Sequence, residues 1–191
     1  MDIIILNGAS SSGKSSIAKQ LQMLLKDNYL HVGIDTFISM MPERCNELAK
    51  ADVISDGFYW KTLPTNNQST LKIQSGAYGR LVNSVYRATV KQFAEAGLKV
   101  IVVDVMDGSR EQSLWIEELG GVSYGFVGVH CELPILEERE RQRKDRIVGS
   151  SREQATRVHQ GVMYNCEVDS TTYSSKQCAK EIIREMNLEP K

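Results

Sequence analysis

Apolar residues cluster along the chain in two rhythms. Ile3-Ile4-Ile5-Leu6 is an unbroken apolar run, and residues 3 to 7 are predicted as a short buried strand. A helix is predicted from Lys14, because Ile17, Leu21, Leu24 and Leu25 fall at i, i+4, i+7 and i+8 on one face. YLHVGI, 29 to 34, predicts a second strand ending at Asp35. A long helix is expected over 76 to 96, with Val82, Tyr86, Val90 and Phe93 along one stripe and Gly97 as its stop. LKVIVVDV, 98 to 105, is a β-branched run of the kind found in strands buried on both faces. YGFVGVHC, 124 to 131, predicts another strand, a charged helix follows from Pro134, and a last helix covers about 175 to 186. Residues 36 to 74 show neither rhythm. Pro42, Gly57, Pro64 and the polar run 65 to 70 mark turns there.

Strands that alternate with helices predict an α/β chain whose parallel sheet is covered on both faces, in three layers. At 191 residues, with no repeat and no break in composition, the chain reads as one domain over 1–191. The net charge of -1 argues against bulk binding to nucleic acid or to anionic membranes. Cys45, Cys131, Cys166 and Cys178 are scattered without zinc spacing and read as free thiols of a reducing compartment. The first apolar run is too short for a signal peptide, and no run has transmembrane length, so a cytoplasmic location is expected.

The chemistry begins after the first strand. Gly8-Ala9-Ser10-Ser11-Ser12-Gly13-Lys14-Ser15 fits G-x-x-x-x-G-K-[ST], the phosphate-binding P-loop. Glycines admit positive φ and let backbone N–H groups approach a phosphate, and the following helix adds its unpaired N–H groups, Ser16 among them. Lys14 supplies charge to the β- and γ-phosphates of ATP, and the Ser15 hydroxyl is a candidate Mg²⁺ ligand. Ligands of open α/β sheets gather beyond the carboxyl ends of the strands. Asp35 and Asp104 stand at two such ends. Asp35 is the candidate base that orients an acceptor hydroxyl, with a helix cap as its alternative. Asp104 is the candidate Mg²⁺ partner, with a turn residue as its alternative.

Residues 137 to 152 carry six basic side chains, Arg139 and Arg143 on one helical side. They predict a lid that brings arginine to the transferred phosphate, with Gly149, Ser150 and Ser151 as its hinge. A solvated, salt-bridged helix face is the alternative. The interspersed acids disfavour nucleic acid as a partner. Phe58, Tyr59 and Trp60 read as a small hydrophobic cluster or as a wall of an acceptor pocket formed by about 36–74. His31, His130 and His159 read as isolated packing residues.

The stretches ILNGASSSGKSSIAKQLQ, VGIDTFISMMP, VGVHCELPILEERERQRKDR and VHQGVMYNCEVDSTT resemble the chloramphenicol phosphotransferases over about residues 3 to 183. The resemblance implies a kinase-like P-loop fold with an arginine-bearing lid. It also implies ATP-dependent phosphorylation of the primary hydroxyl of chloramphenicol, with Asp35 as base, Gly8 to Ser15 on the ATP phosphates, and Arg139 and Arg143 in the lid. Val103-Asp104 departs from the adjacent pair of acids in that family, and residues 43 to 74 match poorly. A kinase of another hydroxylated metabolite or nucleotide sugar stays open. So do a nucleotide-binding regulatory module without a small acceptor, a homo-oligomer, and GTP in place of ATP.

Overall fold

The computed structural model describes residues 1–63, 70–142 and 149–191. Five parallel strands form the central sheet: β1 (Ile3–Asn7), β2 (Tyr29–Gly33), β6 (Lys99–Asp104), β7 (Tyr124–His130) and β8 (Cys166–Asp169), in the order β2-β6-β1-β7-β8. β1 lies in the middle, with Ile5 level with Val102 on one side and Phe126 on the other. Its side chains alternate between the two faces. Ile4 and Leu6 pack with Ile17, Ala18 and Leu21 of α1 (Lys14–Leu24) and with Ala179 and Ile182 of α7 (Ser175–Glu185). Ile3 and Ile5 pack with Tyr86 and Val90 of α3 (Ala77–Glu95) and with Trp115 of α4 (Gly108–Glu118). A side chain of this size contributes about 1.5–3 kcal/mol when fully buried, so a strand apolar at every position is what a sheet covered on both sides requires.

The helix stripe on α3 packs as its spacing requires, with Tyr86 and Val90 buried. Three features depart from the sequence reading. β2 ends at Gly33, and Asp35 sits in the first turn of a short helix, α2 (Ile34–Ser39), rather than at the strand's last position. The stretch read as irregular contains a second sheet, β3 (Glu47–Ala51), β4 (Phe58–Leu63) and β5 (Thr70–Ser75), in which β4 and β5 are antiparallel. Its strands are short and only partly buried, so they carry no long apolar run. Helix α4 and strand β8 were also not anticipated: α4 is mostly polar, and β8 spans only CEVD.

Two helices follow β7, α5 (Leu133–Arg141) and α6 (Ser150–Arg157). They are bolted together at the positions read as a hinge. The fully buried Glu140 carboxylate accepts from Gly149 N (2.8 Å), Ser150 Oγ (2.7 Å), Ser151 N (2.9 Å) and Ser151 Oγ (2.9 Å). Burial opposes its ionisation, but these hydrogen bonds outweigh it and hold the carboxyl below its usual value. Ser150 and Ser151 are buried, so this end of the arginine-rich segment is anchored.

Candidate active site

The phosphate loop bridges the end of β1 and the start of α1. Gly8 has no room for a side chain: a Cβ there would stand 2.5 Å from the Val129 carbonyl oxygen and 2.8 Å from Ser12 Oγ. Gly13 takes φ +88°, a left-handed conformation that turns the chain into α1. Lys14 is buried, and its ammonium donates to the carbonyls of Gly8 (2.8 Å) and Ala9 (2.7 Å). Side chains from elsewhere brace the loop. Ser10 N donates to Gln154 Oε1 (2.6 Å), and Ser170 Oγ donates to the Ser12 carbonyl (2.7 Å). Asn7, fully buried, donates to the Val158 carbonyl (2.7 Å) and to Tyr164 Oη (2.6 Å) and accepts from Met106 N (2.9 Å). One amide therefore ties the end of β1 to the segments after β6 and α6.

The hydroxyls of Ser10, Ser11 and Ser12 are buried without a hydrogen-bond partner among the described residues. Orphaned buried hydroxyls cost free energy unless something else meets them. Together with the close approach at Gly8 and the ammonium of Lys14, they fit a bound phosphate. Ser15 and Ser16 are exposed in the first turn of α1.

A cleft of about 1230 Å³ runs from this loop across the carboxyl ends of β2 and β6 to the second sheet. Lys14, Ser15, Asp35, Asp104 and Arg139 all line it. Asp104 is buried, with Oδ2 accepting from Trp115 Nε1 (2.7 Å) and Oδ1 from Val105 N (2.8 Å), and burial pushes its carboxyl up. Arg139 donates from Nη2 to the Ser170 carbonyl (2.9 Å), which places it beside the loop that braces Ser12. Arg143 lies outside the described residues. Arg141 pairs with Glu138 (2.8 Å) and Arg152 with Glu137, so these two behave as a salt-bridged surface.

Residues 1–187 match the family described as chloramphenicol phosphotransferase-like protein. The chain belongs to that family. Two relatives from Mycobacterium tuberculosis strains, "Putative O-phosphotransferase MT2714" and "Putative O-phosphotransferase Rv2636", are each 31% identical over 94% of this chain and 80% of theirs. Among solved structures, a sugar kinase from Janibacter sp. HTCC2649 superposes with a TM-score of 0.64 at 13% identity, covering 98% of this chain and 95% of its own. The tunicamycin resistance protein of Deinococcus radiodurans gives 0.64 at 15% identity, covering 98% and 96%. The APS kinase CysC of Mycobacterium tuberculosis gives 0.60 at 12% identity, covering 97% of each chain. Identities this low establish a shared kinase fold. In this family member the five-stranded parallel sheet carries that fold.

The structure adds site residues that the sequence reading passed over. Arg80, Arg87 and Arg110 reach the cleft from α3 and α4, as does Glu111. Burial, with the charge of Asp104 beside it, pushes the Glu111 carboxyl up to about 7. Helical spacing was the available signal: Arg80, Asn83 and Arg87 recur at i, i+3 and i+7. Phe58 and Trp60 are buried in the cleft wall. The histidines are not all isolated, because the His130 and His159 rings stack at 4.1 Å. His130 Nε2 lies 2.6 Å from Glu167, and burial, then the charge of His130, pulls His159 down to about 4.

Proposed function

We propose that this family member is an ATP:alcohol O-phosphotransferase acting on a small hydroxylated molecule. The observation that carries this reading is the continuity of one cleft from the phosphate loop, with the unmatched hydroxyls of Ser10 and Ser11, to Asp35. ATP phosphates would be held by residues 8 to 16, with Lys14 and Arg139 as counter-charge and Arg143 as a further lid arginine. Mg²⁺ would be held by Ser15 and, through water, by Asp104, both of whose oxygens already accept hydrogen bonds. The metal supplies charge neutralisation on the phosphates. Asp35 takes the acceptor's hydroxyl proton as its oxygen bonds to the γ-phosphorus, the bridging P–O bond breaks, and ADP leaves.

The family's acceptor, the primary hydroxyl of chloramphenicol, is the first to test, with antibiotic inactivation as its consequence. A kinase of another metabolite is the second reading, and the charge at the far end of the cleft favours it: Lys72, Arg80, Arg87 and Arg110 line that end against Asp107 and Glu111, whereas chloramphenicol carries no ionised group. A location in the cytoplasm belongs to both readings, and no helix among the described residues is long and apolar enough to cross a membrane.

The deciding experiment measures ADP release from Mg²⁺-ATP with and without chloramphenicol and with a panel of other alcohols, and identifies the products by mass spectrometry. A singly phosphorylated product that depends on acceptor is expected. Nucleotide binding with no acceptor-stimulated turnover across the panel would leave a nucleotide-dependent regulatory module instead.

A further inference from the structure

The end of the cleft away from the phosphate loop holds more positive charge than its own carboxylates use. Arg80 donates to the Ser75 carbonyl (2.8 Å) and forms no ion pair among the described residues. Arg110 forms neither a hydrogen bond nor an ion pair among them. Arg87 stands 3.7 Å from Glu111, and Lys72 stands 3.4 Å from Asp107. Asp107 is already committed to Arg157 at 2.8 Å. Arg157, by contrast, is fully used, with Glu153 also on its guanidinium at 2.7 and 3.0 Å.

A hydrogen-bonding group waits in the same wall. Tyr86 is buried, its hydroxyl has no partner among the described residues, and its ring lies between Phe37 (5.0 Å) and Trp115 (5.3 Å). Burial, and then the charges of Asp104, Glu111 and Asp35, push its phenol well above the usual value, with the Arg87 guanidinium opposing them. Its phenol therefore stays protonated and able to donate. Arginine recognises carboxylate, sulfate and phosphate through paired N–H groups, and a cleft with an excess of one sign draws ligands of the other.

We propose that the acceptor is an anionic alcohol, a small molecule whose carboxylate, sulfate or phosphate is received by Arg80 and Arg110 on the exposed rim, with Arg87, Lys72 and the Tyr86 hydroxyl behind them. This rests on the phosphotransfer reading and names its substrate class. A neutral acceptor leaves the rim cations without a counter-charge.

The test is calorimetric binding to the intact chain already saturated with the non-hydrolysable nucleotide AMPPNP and Mg²⁺. Matched probes are gluconate against glucose and glycerol 3-phosphate against glycerol, with chloramphenicol alongside. The anionic member of at least one pair binds roughly tenfold tighter than its neutral partner, the worth of one charged hydrogen bond. The two pairs separate carboxylate from phosphate as the preferred anion. Arg80→Gln and Arg110→Gln each weaken that binding roughly fivefold or more, while AMPPNP affinity stays within about twofold. Both side chains are exposed, so the variants keep the fold, which circular dichroism checks. Equal binding of neutral and anionic partners, anion binding that AMPPNP abolishes, or no saturable anion binding overturns the inference. Anion binding without ADP release from Mg²⁺-ATP would sink the phosphotransfer reading alone. ADP release on chloramphenicol with no anion binding would sink the anionic acceptor alone.

Discussion

At its phosphate end the cleft is walled by near neighbours in the chain, Ser10, Ser11 and Gly13 to Ser16, on a loop whose backbone supplies the cradle. At the far end it is walled by side chains from α2, β4, β5, α3 and α4, which meet only when the second sheet packs beside the first. A backbone cradle tolerates only small residues, as the 2.5 Å approach at Gly8 shows, and suits the part of a ligand common to many partners. A wall of separate side chains can change one residue at a time, and suits the part that distinguishes one acceptor from another. On the proposed reading, chemistry common to kinases belongs to the backbone end, and choice of acceptor to the assembled end.

Variants at the two ends sharpen this contrast. Lys14→Ala removes the ammonium that the Gly8 and Ala9 carbonyls hold in place; if it stabilises the transferring phosphoryl group on the scale of an arginine finger, turnover falls by roughly 10³–10⁵. Nucleotide binding should weaken with it, and steady-state kinetics with direct nucleotide titration measure both. Asp35→Asn should cost about 10²–10⁴ in kcat and leave nucleotide affinity nearly unchanged. Equal turnover in that variant would remove Asp35 as the base.

Glu140→Ala probes the anchor between α5 and α6. It strips four donors of their acceptor and should lower stability by about 3 kcal/mol, or roughly 6–12 °C in Tm. A calorimetric scan that shows no shift would mean that these four hydrogen bonds contribute no net stability to the folded chain. The smallest effect belongs to Glu111. Its folded carboxyl titrates near 7 against an ordinary 4.5, so the native state holds a proton that the unfolded chain has released. The stability it contributes is complete below 4.5 and disappears as pH rises through 7. Glu111→Gln should flatten that slope and add on the order of 2 kcal/mol at pH 8, read by urea unfolding across the range. An unchanged slope would mean that Glu111 is solvated and ionised in the native state.

Legibility followed contiguity. The P-loop was readable because Gly8, Gly13, Lys14 and Ser15 are constrained by one local geometry, and the β1 and β6 runs because both faces of their strands are buried. Asp35 stood out through its place after a strand, although the structure puts it at the second position of α2 rather than on the strand. The second sheet was missed because its strands are half exposed, and α4 because its polar residues outweigh the buried Trp115. Asn7 looked like the end of a strand, and nothing local marks an amide that binds Val158, Tyr164 and Met106 at once.

By itself the sequence determined the parallel α/β layering and the phosphate loop, because hydrophobic period and glycine spacing act between neighbours in the chain. Only the tertiary structure decided which distant side chains share the cleft, that Asp104 is occupied by Trp115, and that Arg80 and Arg110 stand on the rim with no carboxylate paired to them among the described residues. Those facts depend on packing between elements far apart in sequence. Burial and charge at a point are sums over whatever the fold brings there.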